Sequence, residues 1–413
     1  MSDILLLPQP RQLELGEGYT QLRADALIVV SDRRLLFEAQ YLQRGVERYR
    51  WEWSIVSVAN HEGLLIRLQL EERQTAQAYT LTVRDGEVVI TGDHAGVFYG
   101  VCTLLQLIQN DSAALPQLQI EDSPDIAARG VMLDISRDKV PTMATLYNLV
   151  DQLAALKINQ LQLYMEHTFA YQQHQQVWQH ASPLTAQEIL ELDAYCAQRH
   201  VDLVPNQNSL GHMERWLKYA PYRPLSEMEH GFITPWGEPR DPSTVDPQDP
   251  KSLELFAGLY EELLPNFRSN LFNVGCDEPW ELGQGKSKDA VAARGGRVYL
   301  DWMLKLHKLV GEHERQMMFW GDIIVNHPEL VPELPDDVLV LDWGYESTHP
   351  FMERAKLYAD AGKPFYLCPG TSSWNSLIGR SDNAMGNLLG NGLVNILMVT
   401  QCKQGWNTAH QAS

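Results

Sequence analysis

The chain has 413 residues, a formal net charge of −20, 44% hydrophobic residues and 21% charged residues. This length exceeds one ordinary domain, and the composition is typical of a globular protein with a large core, which argues against intrinsic disorder. The acidic excess disfavours nucleic acids and anionic membranes as partners, because both are polyanions.

The amino-terminal segment MSDILLLPQPRQ has no basic region, and its apolar run at residues 5–7 is too short for a secretory signal peptide. No stretch approaches the ~20 apolar residues of a membrane span. We therefore expect a cytoplasmic protein. The five cysteines are widely spaced and form no CxxC pair, so we expect reduced core residues, not a disulfide framework or a zinc site.

The first part of the chain alternates apolar and polar residues in short segments, the pattern of half-buried strands. Asp85-Gly86, between two such segments, is typical of a two-residue hairpin turn. Two longer segments have the periodicity of amphipathic helices. Residues 1–124 are therefore predicted to form a small α+β domain that ends in the linker EDSP. The predicted strands are 26–30, 64–70, 79–83 and 88–91, and the predicted helices are 35–48 and 95–109.

From residue 125 the pattern changes to a buried apolar strand, a loop and a helix, repeated, which indicates parallel βα units. Eight such strands favour a (β/α)8 TIM barrel over an open doubly wound sheet, so residues 125–413 are predicted to be a catalytic barrel. The predicted strands are 130–135, 160–165, 202–205, 271–275, 317–320, 338–341, 365–367 and 395–399. The predicted helices include 143–156, 186–199, 288–312 and 351–361.

One predicted connection is unusually long. Residues 208–250, after the third barrel strand, are rich in Pro, Gly, Asp and Glu. Loops of this length within a compact domain are usually functional, and a loop that follows a barrel strand lies at the catalytic face.

Polar residues that directly follow the predicted strands are the candidates for chemistry, because that end of a barrel carries the active site. Carboxylates and tryptophans together are typical of a sugar site, where acids transfer protons and indoles stack on sugar faces. No HxH, HExxH or phosphate-binding glycine loop occurs, so we expect neither a metal nor a cofactor. The candidates are Asp134, Arg137, Glu166, His167, Asn206, His212, Asp277, Glu278, Trp320, Asp322, Asp342, Trp343 and Trp374.

The adjacent acids Asp277 and Glu278, in the run NVGCDEPW, are the strongest candidates. An Asp-Glu dipeptide is common on surfaces, but this one follows a buried strand, where the chain leaves the pleat and both side chains can approach the mouth. Two carboxylates this close repel each other, which favours keeping one of them protonated as a general acid. By contrast, Cys276 is predicted to be packing, and Arg137 with Asp134 to be an ion pair at the barrel rim.

Four motifs make the chain resemble glycoside hydrolase family 20, the β-N-acetylhexosaminidases, over about residues 1–390. These motifs are RGVMLDISR from Arg129, LQLYMEHTF from Leu161, PNQNSLGH from Pro205 and GCDEPW from Gly275. They are specific as a set, because they fall in the family's order on successive predicted strands.

The resemblance implies a retaining exo-β-N-acetylhexosaminidase that removes terminal β-linked GlcNAc or GalNAc from oligosaccharides or glycoconjugates. Catalysis would be substrate-assisted, with the substrate's own 2-acetamido oxygen attacking the anomeric carbon to form an oxazolinium. Glu278 would protonate the leaving oxygen and later deprotonate water. Asp277 would hold the acetamido N–H and stabilise the developing positive charge.

The resemblance also implies the substrate contacts. Arg129 matches an arginine that binds the terminal sugar's hydroxyls, and Glu166 and His212 match positions that orient and tune the acid, although the family more often has Asp at the position of Glu166. The remaining assignments are Trp320, Trp343 and Trp374 as an aromatic box around the acetamido methyl, and Tyr366 as the donor to its carbonyl.

The carboxyl-terminal end departs from the family pattern. It reads MVTQCKQGWNTAHQAS, so we expect the last barrel helix to be missing, with Trp406 as a substitute for a family tryptophan. The apolar surface exposed in this way could be covered by a rearranged end or by a homodimer. Two alternative functions stay open: a carbohydrate-binding protein with little turnover, and a retaining glycosidase whose nucleophile is Glu166 or Asp342.

Overall fold

The computed structural model describes residues 4–59, 63–371, 380–389 and 400–401. The chain divides into two compact units. The first comprises Met1–Ala127, Asn148–Asn159 and Gln198–Val201, and the second comprises Ala128–Tyr147, Gln160–Ala197 and Asp202–Ser413.

The first unit contains a seven-stranded mixed sheet with the order β1-β7-β5-β6-β4-β2-β3. Its strands are β1 (Gln12–Gln21), β2 (Leu27–Val30), β3 (Ser54–Val56), β4 (Leu65–Leu70), β5 (Tyr79–Arg84), β6 (Glu87–Gly92) and β7 (Ala114–Asp122). Strands β5 and β6 form the predicted hairpin, with Gly86 at a positive φ of 73° in the turn. Alternate residues of β5 are buried, as expected for a strand with one face against a core.

Two helices accompany this sheet, α1 (Leu36–Val46) and α2 (His94–Asn110). The α2 helix begins at Asp93, whose carboxylate accepts a hydrogen bond from the backbone N–H of Gly96. Such a cap satisfies an N–H that has no partner inside the helix. Most of α2 is apolar and buried, so it supplies a large part of this unit's core.

The second unit is built on parallel strands. Its strands are β8 (Gly130–Asp134), β9 (Gln160–Tyr164), β10 (Asp202–Val204), β11 (Phe232–Ile233), β12 (Pro239–Arg240), β13 (Leu271–Asn273), β14 (Gln316–Trp320), β15 (Leu339–Gly344), β16 (Phe365–Pro369) and β17 (Thr400–Gln401). Strands β8, β9 and β10 form one parallel sheet, β13 to β16 form a second, and β17 pairs antiparallel with β16. A parallel bridge between Asn206 and Asn273 joins the segments that follow β10 and end β13.

Helices lie between these parallel strands along the chain. They are α3 (Met143–Ala155), α4 (Gln175–Trp178), α5 (Ala186–Gln198), α6 (Glu214–Leu217), α7 (Pro250–Leu263), α8 (Lys288–Arg294), α9 (Arg297–Glu312), α10 (Phe351–Asp360) and α11 (Ser381–Leu389). Consecutive parallel strands joined through helices are the expected arrangement of βα units. The single helix predicted over 288–312 is two helices, because Gly295, at a positive φ of 57°, ends the first.

Seven of the eight predicted barrel strands are therefore present and parallel to their neighbours along the two sheets. The predicted eighth strand, 395–399, lies outside the described residues, as does nearly all of the carboxyl-terminal tail. Closure of the barrel and the missing last helix thus stay predictions. None of the helices in the described ranges is long and apolar enough to span a bilayer.

Candidate active site

The candidate site lies at the carboxyl ends of the parallel strands of the second unit. Asp134 ends β8 and Arg137 follows it, Glu166 follows β9, His212 lies in the connection after β10, and the Asp277-Glu278 pair follows β13. Side chains that are far apart in sequence meet here because parallel strands end at the same edge of a sheet.

The backbone around the pair has an uncommon conformation that points adjacent carboxylates the same way. Gly275, Cys276 and Glu278 all have positive φ, at 68°, 69° and 46°. Residues with a Cβ rarely adopt such angles, which cost roughly 1–3 kcal/mol each and concentrate at functional sites. A side chain on Gly275 would overlap Asn208 Oδ1, and one on Gly211 would overlap the carbonyl oxygen of Asp277. The two loops therefore pack with their backbones in close contact.

His212 links the two catalytic candidates. Its Nε2 lies 3.2 Å from Asp277 Oδ2 and 3.4 Å from Glu278 Oε2. Burial opposes a charge on the ring, but the neighbouring Asp277, Glu278 and Glu166 carboxylates raise the pKa of His212 well above its usual value. We therefore expect a positively charged imidazolium that donates its Nε2–H between both carboxylates.

Behind His212, Glu166 and Arg137 form an ion pair with 2.8 Å between Arg137 Nη1 and Glu166 Oε1. Arg137 also contacts Asp134 Oδ2 at 3.1 Å, and its guanidinium lies 4.8 Å from the centre of the Tyr164 ring. Burial raises the pKa of Glu166 to about 8 although Arg137 opposes the shift. The predicted ion pair of Arg137 with Asp134 is present, and Arg137 forms a further ion pair with Glu166.

Asp322 is hydrogen-bonded to the backbone of the pair. Its Oδ2 accepts a hydrogen bond of 3.1 Å from the backbone N–H of Glu278. Burial, followed by the nearby Asp277 charge, raises the pKa of Asp322. The position of Asp322 after β14 marked it as a candidate, but its role as a backbone acceptor could be recognised only from the fold.

Aromatic side chains follow the next strands. Trp320 ends β14, Trp343 lies near the end of β15, and the ring of Trp343 is 5.2 Å from that of Tyr345. Burial, then the charges of Asp277 and Glu278, raises the pKa of Tyr345 to about 12, which places its hydroxyl in the field of the pair. Tyr345 is absent from the predicted set, although its place directly after β15 was a signal for it. Trp374 lies outside the described residues.

The prediction that Arg129 binds the sugar stays a prediction. Arg129 precedes Gly130, the first residue of β8, and so lies at the amino end of the strand. The five residues of β8 put about 16 Å of strand between this position and the catalytic edge. Arg137, after the other end of β8, contacts Asp134 and Glu166.

The role predicted for Tyr366 stays a prediction. Tyr366 is the second residue of β16 and is buried in a core cluster with Met318 and Leu341. Its hydroxyl is hydrogen-bonded to the side chain of Gln160, the first residue of β9. Tyr345, directly after β15, is a second candidate for a hydroxyl donor.

Two groups of carboxylates and histidines in the described part of the chain have donor atoms within 4.8 Å of one another, Glu166 with His212 and Glu214, and Glu38 with His94 and His200. In the first group the Arg137 guanidinium already occupies Glu166 Oε1. In the second, His94 Nε2 is 3.0 Å from the carbonyl oxygen of Arg34, so a hydrogen on that nitrogen blocks coordination. The absence of a catalytic metal stays a prediction.

Relatives among known proteins include a beta-hexosaminidase of Akkermansia muciniphila, which is 29% identical over 283 residues, or 61% of this chain and 57% of that protein. An N,N'-diacetylchitobiase of Vibrio harveyi is 32% identical over 171 residues, or 39% of this chain and 18% of that protein. The chain thus spans 57% of the length of the first relative.

Solved structures with the same fold include an exo-β-N-acetylglucosaminidase of Vibrio harveyi in complex with N-acetylglucosamine. The match has a TM-score of 0.74 at 18% identity and covers 89% of this chain and 61% of that chain. A Streptomyces plicatus β-hexosaminidase variant with bound GlcNAc gives a TM-score of 0.72 at 21% identity and covers 89% of this chain and 74% of that one.

Two family models match the chain in succession. The model for domain 2 of glycosyl hydrolase family 20 matches residues 3–123, and the model for the catalytic domain of the same family matches residues 127–374. The catalytic match covers more than half of the chain and includes the strand ends that carry Arg137, Glu166, His212, Asp277 and Glu278. The chain therefore belongs to glycosyl hydrolase family 20.

Proposed function

We propose that the chain is a retaining exo-β-N-acetylhexosaminidase that releases terminal β-linked GlcNAc or GalNAc by substrate-assisted catalysis. One observation carries the proposal: Asp277 and Glu278 share the Nε2 of His212, while Asp277 Oδ1 is buried and accepts no hydrogen bond within the described ranges. A buried carboxylate oxygen without a donor is rare, and the N–H of a bound acetamido group would satisfy it.

Glu278 is suited to proton transfer. Its side chain is 29% exposed, compared with 12% for Asp277, so it is the member of the pair that a glycosidic oxygen and a water molecule can reach. In the first step it donates a proton to the leaving oxygen, and in the second it takes a proton from water. The hydrogen bond from its backbone N–H to Asp322 holds this position.

Asp277 is suited to steer the substrate. With Oδ2 held by His212, its free Oδ1 would accept the acetamido N–H and aim the acetamido oxygen at the anomeric carbon. The positive charge that then develops on the oxazolinium is stabilised by the fixed carboxylate, which needs no reorganisation in this buried place.

The remaining contacts follow from the same geometry. Arg137 and Asp134 have half-exposed side chains and can bind the hydroxyls of a terminal sugar. The indole N–H groups of Trp320 and Trp343 are buried and make no hydrogen bond to any described residue. Together with Tyr345 they provide apolar faces and donors for the acetamido group.

The alternative of a protein nucleophile finds less support. Glu166 is 1% exposed and bound to Arg137, and the side chain of Asp342 is 0% exposed and lies 3.1 Å from Arg354. Neither carboxylate can approach an anomeric carbon without breaking its ion pair, whereas a retaining nucleophile must face the sugar about 5 Å from the acid.

We also propose that the seven parallel strands belong to a closed (β/α)8 barrel. The support is the order of the strands along the chain and the likeness in fold to the Vibrio harveyi and Streptomyces plicatus enzymes. A closed barrel would bring the ends of β8 and β16 to one mouth.

The test of function compares chromogenic β-GlcNAc, β-GalNAc and β-glucoside substrates with the wild type and with Glu278→Gln. The proposal expects turnover of the N-acetylated sugars that Glu278→Gln lowers by about 10²–10⁴-fold, and strong inhibition by a stable oxazoline mimic. Preference for the glucoside would favour a protein nucleophile. Absence of turnover in a folded, monodisperse sample would favour a carbohydrate-binding protein.

A further inference from the structure

A cavity of about 360 Å³ lies in the second unit, among loops next to the candidate active site. It is formed by the loops that follow β8, β9 and β10, and it is lined by polar residues that the proposed hydrolysis does not use. These include Asp138, Lys139, His167, His180, Arg215 and Lys218.

The charge of this cavity is opposite to that of the chain. The whole chain has 53 acidic and 33 basic residues, yet the lining has the cations Lys139, Arg215 and Lys218 against the single carboxylate of Asp138. That carboxylate is engaged with Arg215 Nη2 at 2.8 Å. Neither Lys139 nor Lys218 forms an ion pair with any residue in the described ranges, so two positive charges are left to attract an anion.

His167 adds a buried polar group without a partner. The residue is 4% exposed, and its Nδ1 makes no hydrogen bond within the part of the chain that the structure describes. Leaving a buried polar atom unsatisfied destabilises the fold, so native structures seldom do it without a ligand or a water molecule to bind. With its proton on Nδ1, the ring would donate to an oxygen placed in the cavity.

We infer that this cavity binds an anionic oxygen group, namely a sulfate, phosphate or carboxylate. Two lysines supply charge and His167 supplies a directed hydrogen bond, which is the donor set that such groups prefer. The volume suits a small organic molecule better than a bare ion, which favours a group attached to a sugar over a free anion.

The cavity is close to the catalytic residues through the backbone. Ser136 and Asp138, which line it, flank Arg137, and His167 follows Glu166. Anion binding itself does not depend on the proposed hydrolysis, and only the use of a charged substrate rests on it.

The first experiment measures binding to the full chain without turnover. Sodium sulfate is titrated into the protein at an ionic strength held constant with sodium chloride, and binding is followed by calorimetry and by the NMR signals of the His167 ring. The inference expects sulfate to bind and to move the His167 signals. The double variant Lys139→Gln/Lys218→Gln should weaken binding by at least about tenfold, because it removes both free cations.

The control is Lys251→Gln/Lys288→Gln, which removes the same charge from exposed positions in the second unit outside the cavity. It should bind sulfate as the wild type does. If sulfate acts no differently from chloride, or if both double variants lose binding equally, the inference is overturned.

The second experiment separates the two sources of the anion. With Glu278→Gln protein, which binds without turning over, a monosulfated N-acetylglucosamine is compared with N-acetylglucosamine and free sulfate added together. Tighter binding of the sulfated sugar that the cavity variant abolishes assigns the anion to the substrate. Equal binding assigns the cavity to a free anion. If the wild type hydrolyses no N-acetylated substrate but still binds sulfate, the proposed function is contradicted and the cavity assignment stands.

Discussion

At the scale of single residues, the candidate site is organised around one histidine. His212 contacts Asp277 and Glu278 through Nε2, and its Nδ1 lies 3.6 Å from Glu166 Oε1. A cation among three carboxylates offsets their mutual repulsion, which would otherwise destabilise the folded state. His212 is thus a positioning residue, and the two adjacent acids can take different roles because each has its own remaining partner.

These different roles predict different responses to the leaving group. With a nitrophenyl or methylumbelliferyl β-GlcNAc substrate, Glu278→Gln should lower the rate of glycosylation by about 10²–10⁴-fold. With a dinitrophenyl β-GlcNAc substrate the loss should be far smaller, because this leaving group needs no proton. Asp277→Asn should lose about 10²–10³-fold with all of them, because it acts on the acetamido group. Pre-steady-state kinetics measure this, and equal losses for both variants across leaving groups would refute the division of roles.

His167 predicts part of the acid sensitivity of the fold. Burial and the nearby cations Arg215 and Lys218 lower the pKa of His167 to about 4, below its ordinary value of 6.5. Between these values the unfolded chain takes up a proton that the folded chain refuses, so stability falls as the pH drops from about 6.5 to about 4. In His167→Gln the free energy of unfolding, measured with urea at pH 7, 5 and 4, should decrease less with falling pH than in the wild type. The exposed His180→Gln is the control, and an unchanged slope in His167→Gln would contradict the account.

At the scale of elements, the loop after β13 is the feature on which the site depends. Three positive φ angles in four residues reverse the chain so tightly that neighbouring carboxylates face one histidine. The glycines of this region allow close contact between the backbones of two loops. Strain of this kind persists only where the surroundings hold it in place.

A pair of glycine variants isolates that contact. Gly275 and Gly362 have nearly the same φ, 68° and 69°, but a Cβ at Gly275 would overlap Asn208, whereas one at Gly362 would meet no atom within 4 Å. Gly362→Ala should cost only the backbone term of about 1 kcal/mol and leave kcat unchanged. Gly275→Ala should cost more and lower kcat strongly. Urea unfolding and kinetics test this, and equal effects of the two changes would show that the loop contact is unimportant.

The strands of the second unit were predictable because they are buried on both faces and so appear as short, continuous apolar runs. Most predicted ends agree with the structure to within one or two residues, as for β8 and β9. The edge strand β1 could not be predicted in the same way, because most of its residues are exposed and carry no apolar alternation.

The position of the candidate pair Asp277-Glu278 was predictable for a related reason, since its place after a buried strand is visible in the sequence. The places of Arg129 and Tyr366 along their strands could not be predicted in this way. Only the fold shows that one lies at the amino end of β8 and that the other lies within β16. The support from Asp322 to the Glu278 backbone involves residues 44 positions apart, which no local pattern could reveal.

At the scale of the whole molecule, the net charge of −20 sets the long-range field in which substrates approach. A neutral N-acetylated sugar is indifferent to this field, whereas a polyanionic glycan is repelled until salt screens the charge. The cationic cavity is a local exception whose influence reaches about one Debye length, ~8–10 Å.

This predicts distinct salt dependences. Between low salt and 0.5 M sodium chloride, kcat/KM for a neutral chitooligosaccharide should change by less than about twofold, while kcat/KM for a highly sulfated polymeric glycan should rise. Steady-state kinetics with matched buffers test this. A fall for the polymer with increasing salt would show that local attraction at the site outweighs the net charge.

The central claim, that the substrate supplies the nucleophile, is tested most directly by changing the acetamido group alone. In a series of chromogenic β-glucosaminides with N-acetyl, N-fluoroacetyl, N-difluoroacetyl and N-trifluoroacetyl groups, each fluorine weakens the carbonyl oxygen as a nucleophile and leaves the sugar otherwise intact. Substrate assistance predicts that kcat/KM falls steadily along the series, by at least about tenfold from the N-acetyl to the N-trifluoroacetyl substrate, which corresponds to ~1.4 kcal/mol of lost transition-state stabilisation. A kcat/KM that stays within about twofold across the series would contradict the mechanism and require a nucleophile from the protein.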